Sequence, residues 1–534
     1  MSISSCVPAT FGTPTILGTQ ILSLEANLVT NYSTPAPIPA VYRFTQPAIE
    51  VQNVTFCNVT VSYTHTGQDD ELAVEGWLPV DWNGRFQAVG GGGWAAGRVP
   101  FTYAAMGGAI AEGFATVTTD AGLGNATGLE SGPWALLSPG NVNLYNLQDF
   151  GSVSLNEQAI IGKSLIASYY GKGPTYSYWN GCSQGGRQGM MLAQRYPDAY
   201  DGIAAGAPGI YWTEIPPAAI WPQHFMNTEK AFPYACELEA ITAGAVAACD
   251  GLDGVLDGII TEVDACLASF DPFQLVGSSV SNCSDVGGKT QDITVAAASV
   301  ANASWHGSPQ WFGYSPGADL THSTADPGTP NTQPGPASTN CTTGTCVGVP
   351  NELWLQWLRV FSAKGDPSFN FTTLTRAEYD RLAHVGAQEY RSSIRTDDPD
   401  LSAFRAAGGK LVSFHGLSDN MIPWQGTRQY YDAVAARVPD VHGFYRHYEV
   451  PGLGHCSGGP SGQPDSLFAQ LRAWVENGTA PAESPIKVTL QNGTVQNRVL
   501  CPYPQKARWQ AAGWYCSSSV SSSAASSPKS GFKE

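Results

Sequence analysis

Apolar and polar residues alternate with period two through "NVTVSYTH", residues 58–65, which predicts a half-buried strand. "ELAVEGWLPV" (71–80) and "RFQAVGGGG" (85–93) are two further strand candidates. The period then changes. "SLNEQAIIGKSLIASYYG" (154–171) places apolar residues at helical spacing and stops at Gly171. "TYSYWN" (175–180) reads as a short aromatic strand, "GRQGMMLAQRYP" (186–197) as a helix halted by Pro197, and "GIAAGAP" (202–208) as an apolar strand. Strands and helices in turn predict an α/β sheet, mostly parallel.

After Pro208 the pattern is lost. Residues 210–395 are rich in Trp, Pro, Asn, Thr and Gly, and "HSTADPGTPNTQPGPASTNCTTGTC" is plain loop. "KLVSFHGLSDNMIPW" (410–424) and "YRHYEVPGLGHC" (445–456) then restore strand followed by loop. The organisation expected is a catalytic α/β core from 1–209 and 396–517, an inserted lid from 210–395, and a low-complexity tail from 518–534. No internal repeat is visible.

Composition narrows the class. The chain has 534 residues, 43% hydrophobic and only 13% charged, with 59 glycines and 37 prolines. A formal net charge of −17 repels polyphosphates, so nucleic acid is not an expected partner, and a neutral or weakly acidic small substrate suits the chain better. Twelve cysteines without a C-x-x-C pair argue against common zinc sites. Together with N-x-S/T sequons at Asn31, Asn53, Asn58, Asn125, Asn282, Asn302, Asn340, Asn370, Asn477 and Asn492 they suggest a secreted, disulfide-bonded glycoprotein. No apolar run is long enough for a membrane span. The start "MSISSCVPATFGTPT" lacks signal-peptide character, so the chain is expected to begin near a mature terminus with Met1 added.

The candidate chemistry centres on Gly181-Cys182-Ser183-Gln184-Gly185, a G-x-S-x-G run between a predicted strand and a predicted helix. A nucleophile elbow requires that setting, with small residues for the tight turn and a helix N-terminus that favours negative charge. Gly313-Tyr314-Ser315-Pro316-Gly317 matches the same pattern but follows no convincing strand, and Pro316 has no N–H for an oxyanion. The ordinary reading of Ser183 is a helix cap. Its candidate partners are His455, in a glycine-rich loop after a strand, and Asp419, just past "KLVSF". His415, His442 and His447 lie in or beside strands and read as structural, and Asp419 itself could be a turn former. Gln184 and the run Gly90–Gly93, Gly91 and Gly92 foremost, are the candidate oxyanion donors. Cys182 precedes Ser183 and Cys456 follows His455, so if serine and histidine meet, the two thiols are close enough to join.

"GGGGW", "GCSQGGRQGMMLAQRYP", "HGLSDNMIP" and "GLGHC" together resemble the tannase/feruloyl esterase family of secreted esterases, over essentially the whole chain. The resemblance implies an α/β-hydrolase core with an inserted lid, Ser183 as nucleophile, His455 as base, Asp419 as acid, and a Cys182–Cys456 disulfide. It also implies structural Ca²⁺ in the lid at "CDGLDGVLDGIITEVDAC", held by the side chains of Asp250, Asp253 and Asp257 and the carbonyls of Val255 and Ile259. From spacing alone that stretch could equally be three solvated Asp-Gly turns. Cys249 and Cys266 flank it and are expected to pair; Cys6–Cys57, Cys341–Cys346 and Cys501–Cys516 follow by proximity, leaving Cys236–Cys283. The activity expected is hydrolysis of phenolic aromatic-acid esters, gallate or a hydroxycinnamate such as ferulate, from plant cell walls or tannins, with no organic cofactor. Trp212, Trp221, Trp354 and Trp357 are candidates to stack on the acid. The rival from another class is a non-catalytic phenolic- or glycan-binding protein on a hydrolase scaffold.

Overall fold

Val59, Val61 and Tyr63 are fully buried while Thr60, Ser62 and Thr64 between them are half-exposed, as period-two alternation requires. The structure is a computed structural model that describes residues 5–124, 126–323, 333–342, 345–490, 493–510 and 513–518. The expected tail beyond Ser518 and the sequons at Asn125 and Asn492 lie outside the described residues.

Nine strands form one sheet: β1 (Thr19–Tyr32), β2 (Val54–His65), β3 (Leu72–Pro79), β4 (Arg85–Val89), β5 (Ala115–Thr119), β6 (Tyr176–Cys182), β7 (Gly202–Gly206), β8 (Lys410–Gly416) and β9 (Tyr445–Val450). Their order is β1-β2-β3-β5-β4-β6-β7-β8-β9. From β5 to β9 every neighbouring pair is parallel, and β1–β2, β2–β3 and β3–β5 are antiparallel. β1 is not among the strands read from the sequence, although polar and apolar residues alternate through "SLEANL" (23–28). An edge strand with one neighbour buries little, and none of its residues is fully buried.

The helices of the core are α1 (Pro100–Ala111), α2 (Ser154–Tyr170) and α3 (Gln184–Arg195) before the insertion. The insertion carries α4 (Ile215–Glu229), α5 (Ala235–Cys249), α6 (Val295–His306) and α7 (Arg376–Ile394), and the core resumes with α8 (Gln425–Arg437) and α9 (Leu467–Asn477). α2, α3 and α8 bury Leu165, Met190 and Tyr430 on one face of the sheet, while α1 and α9 bury Ala109 and Phe468 on the other. α2 ends where Gly171 takes the left-handed conformation, φ 70°.

The chain leaves the sheet after Gly206 and rejoins it at Lys410. Between these points Trp212, Trp221, Trp305, Trp354 and Trp357 are buried in one cluster with Trp94, Trp134 and Phe150 of the first part of the chain. The tryptophans expected to stack on a substrate pack into this core: Trp357 lies 6.3 Å from Trp94 with parallel rings, Trp212 lies 5.1 Å from Trp94 edge-on, and Trp221 packs 5.9 Å from Tyr379.

Candidate active site

β6 ends at Cys182 and α3 begins at Gln184, leaving Ser183 alone at the corner. Its φ of 62° and ψ of −119° are costly for a residue with a Cβ, about 1–3 kcal/mol, and hold only where the surroundings impose them. Here the Ser183 N–H donates to Gly206 O at 3.0 Å, and the Ser183 carbonyl accepts from Gly209 N–H at 3.2 Å. The glycines make the corner possible. A Cβ on Gly181 would lie 2.7 Å from the Gly185 carbonyl, and one on Gly186 would lie 2.3 Å from Gly206 O.

The side chains at 183, 455 and 419 form one hydrogen-bonded line. Ser183 Oγ is 2.9 Å from His455 Nε2, and His455 Nδ1 is 2.8 Å from Asp419 Oδ2. A carboxylate only accepts, so Nδ1 carries the proton and Nε2 is the free lone pair facing the hydroxyl. Asp419 is fully buried. Its Oδ1 accepts the N–H groups of Met421 and Ile422, each at 2.8 Å. Burial alone would raise this carboxyl, but the His455 charge and hydrogen bonds from His415 and His455 hold it well below the usual carboxylate range.

His415, expected from its strand to be structural, is buried and hydrogen-bonded, and one of its partners is Asp419. It is fully buried, with Nε2 3.0 Å from Asp419 Oδ2 and Nδ1 2.8 Å from Thr427 Oγ1. The signal was its place near the end of β8 (Lys410–Gly416), four residues before Asp419. His447, by contrast, is structural: it is buried against Ser413 Oγ at 2.9 Å.

The oxyanion assignment to Gly91 and Gly92 needs correcting. Gly91 N–H donates to Gln188 Oε1 at 2.9 Å and Gly92 N–H to Ala95 O at 3.1 Å, so both protons are already taken. Gly93, at φ 55°, is the member of the run whose N–H has no hydrogen bond among the described residues. Gln184 opens α3, where the first N–H groups have no intrahelical acceptor. Its amide oxygen accepts from Arg187 Nε at 2.6 Å, and the fully buried Arg187 also donates to Phe150 O and Gly151 O, tying the helix to the turn before α2.

Cys182 and Cys456 are bonded, with Cα atoms 6.0 Å apart, beside the serine and the histidine. Cys6–Cys57, Cys236–Cys283, Cys249–Cys266, Cys341–Cys346 and Cys501–Cys516 are the other five bridges. Ser315 of the competing motif is buried in the insertion and accepts the Trp424 indole N–H at 2.9 Å, with no histidine or carboxylate among its hydrogen-bond partners in the described residues.

The loop 250–259 supplies oxygen donors only. Asp250 Oδ1 accepts the N–H groups of Asp257 and Gly258 at 2.9 Å, while Asp253 and Asp257 accept those of Val255 and Ile259 at 2.9 Å. Asp257 is raised to about 6, first by burial and then by the charges of Asp250 and Asp253, against the pull of Arg498 2.7 Å away. One cation thus faces three carboxylates, and the donor chemistry fits a hard divalent ion. The three carboxylates do not converge as tightly as a preformed cage, since they are not among the acidic groups whose ligand atoms lie within 4.8 Å of one another.

Comparison with known proteins gives a consistent picture. The family described as tannase and feruloyl esterase matches residues 57–524. A protein of Arthroderma benhamiae named a probable feruloyl esterase is 38% identical over 93% of this chain and 90% of its own. Mono(2-hydroxyethyl) terephthalate hydrolase of Piscinibacter sakaiensis is 32% identical, covering 82% of this chain and 78% of its own. The structure of tannin acyl hydrolase from Aspergillus niger superposes with a TM-score of 0.80 at 30% identity, over 96% of this chain and 94% of that one.

Proposed function

The chain belongs to the tannase and feruloyl esterase family and is a carboxylic ester hydrolase; from that premise we propose that it cleaves esters of phenolic aromatic acids through Ser183, His455 and Asp419. The observation that carries the reading is the line Ser183 Oγ–His455 Nε2–Asp419 Oδ2, 2.9 Å and 2.8 Å, at a strained corner. His455 takes the Ser183 proton as Oγ attacks the ester carbonyl, and Asp419 stabilises the imidazolium. The N–H of Gln184 at the start of α3 is assigned to the oxyanion, and the N–H of Gly93, which has no hydrogen bond among the described residues, is the candidate second donor. The imidazolium then protonates the departing alcohol, and water releases the acid from Ser183 by the same route. An intact relay of this kind disfavours the rival reading of a binding protein on a hydrolase scaffold.

A hydroxycinnamate ester is the substrate favoured by the similarity to a probable feruloyl esterase, and a gallate ester is the second reading, favoured by the superposition on tannin acyl hydrolase. Methyl ferulate and methyl gallate, assayed side by side, decide between them. Ser183→Ala should lose at least ~10³-fold in kcat on the preferred ester. Equal activity of wild type and variant would remove Ser183 from the mechanism.

We extend the proposal to calcium and to location. Asp250, Asp253 and Asp257, with the carbonyls of Val255 and Ile259, would hold Ca²⁺ as a brace beside the Cys249–Cys266 bridge. Chelation should then lower the melting temperature by several degrees, with Ca²⁺ restoring it and Asp253→Asn abolishing the response. Six disulfides and exposed sequon asparagines at Asn31, Asn53, Asn282, Asn340, Asn370 and Asn477 support secretion. Asn58 and Asn302 are only partly exposed, and the Asn58 amide nitrogen donates to Glu75 at 3.1 Å. No helix among the described residues is long and apolar enough to cross a membrane.

A further inference from the structure

The end of β2 carries a second cluster of chemistry-bearing side chains that the esterase mechanism does not use. His65 is the last residue of β2, Asp70 follows in the next loop, Asp149 opens the turn Asp149–Val153, and Glu157 stands in the first turn of α2. His65 Nδ1 is 2.6 Å from Asp70 Oδ2, and His65 Nε2 is 2.8 Å from Glu157 Oε1. The other Glu157 oxygen accepts the Tyr63 hydroxyl at 2.8 Å. Asp70 is fixed from behind, its Oδ1 accepting the His65 N–H and the Thr64 hydroxyl, each at 2.8 Å.

Asp149 completes the set. It is 5% exposed, its Oδ2 is buried with no hydrogen-bond partner, and its carboxylate converges with His65 and Asp70 so that the three ligand atoms lie within 4.8 Å of one another. No lysine or arginine forms an ion pair with Asp70, Asp149 or Glu157 among the described residues, so one imidazole faces three carboxylates. A buried carboxylate oxygen without a donor is costly unless something positive meets it.

We propose that His65 Nδ1, Asp70 and Asp149 form a site for a first-row divalent cation of the zinc type. Neighbouring ligands at about 2.0–2.2 Å from a tetrahedral ion stand roughly 3.4 Å apart, so His65 Nδ1 and Asp70 Oδ2, now 2.6 Å apart across a shared proton, need to part only slightly once the ion replaces that proton. One nitrogen and carboxylate oxygens suit zinc or manganese better than calcium. Glu157 is the orienting partner, accepting the Nε2 proton so that Nδ1 presents its lone pair, the arrangement by which a carboxylate fixes a metal-bound imidazole. Binding releases the proton now shared by His65 Nδ1 and Asp70 to solvent. The ion joins β2 to the turn that Arg187 grips through Phe150 O and Gly151 O, and so braces the helix behind the nucleophile.

The test is a calorimetric titration of ZnCl₂ into tag-free, chelator-treated full-length protein, in excess Ca²⁺ so that the lid loop is saturated. One saturable equivalent is expected. Asp149→Asn should abolish it, and Glu157→Gln should weaken it about 10–100-fold. Circular dichroism and hydrolysis of p-nitrophenyl acetate serve as the fold control for each variant. Absence of saturable binding, or equal binding by wild type and folded Asp149→Asn, overturns the site and leaves a network closed by protons alone.

Discussion

Asp419 accepts four hydrogen bonds on two oxygens, two from backbone N–H groups and two from imidazoles. The two backbone donors fix the plane of the carboxylate, and His415 fixes the oxygen that His455 uses. His415 is therefore a positioning residue. His415→Leu should lower kcat about 10–100-fold with little change in KM, the worth of one hydrogen bond to a charged group. His415→Gln, which keeps an N–H, should recover much of the rate; unchanged kcat in folded His415→Leu would make the role merely structural. Strand periodicity cannot see such a role, because a buried strand histidine looks the same whether it faces a tyrosine or a carboxylate. The glycine run shows the opposite limit. Four glycines announce close approach of backbone, but which N–H groups are free depended on Gln188 and Ala95, one of them far away in the chain.

At the scale of elements, the joint between α4 and α7 titrates. His224 of α4 is 1% exposed and stacks on Tyr379 of α7 with ring centroids 4.2 Å apart. Burial, then the nearby charge of Arg376, pulls its pKa down to about 4. In the unfolded chain it titrates near 6.5. Above that value neither state binds the proton and the joint keeps its full stability. Between about 6.5 and 4 the unfolded chain binds the proton and the folded one does not, so stability falls with falling pH, by at most about 1.4 kcal/mol per pH unit. Urea midpoints of wild type and His224→Gln at pH 7, 5.5 and 4.5 should converge as the pH drops; parallel curves would sink the assignment. The elements around Ser183 were legible because strand, glycine corner and helix are local in sequence. β1 was missed although Leu24 and Ala26 are more buried than Ser23, Glu25 and Asn27 around them; at a sheet edge every residue stays partly exposed, so the alternation is weak.

For the whole molecule, the sheet places Ser183 before the insertion and Asp419 and His455 after it. The change of composition near Pro208 marks the excursion that leaves the sheet after Gly206, but nothing local shows that the lid tryptophans share a core with Trp94 and Phe150. The Cys182–Cys456 bond fastens the two halves of the site across 274 residues. Replacing both cysteines by alanine should cost about 2–4 kcal/mol in stability. At temperatures where the variant stays folded, kcat should fall as well, because the histidine loop loses its anchor beside the serine; full kcat in the folded variant would limit the bond to stability. That same bond sets a waiting time during biosynthesis. Six cysteines emerge between Cys182 and Cys456, and all six pair among themselves at separations of 5–47 residues. At about 5–20 residues per second, the thiol beside Ser183 stays single for roughly 15–55 s while those candidate partners pass by. Early closure of the local bridges removes its wrong partners before the right one arrives, and each nascent chain keeps Ser183 without His455 until the 274 residues that separate the two cysteines are made.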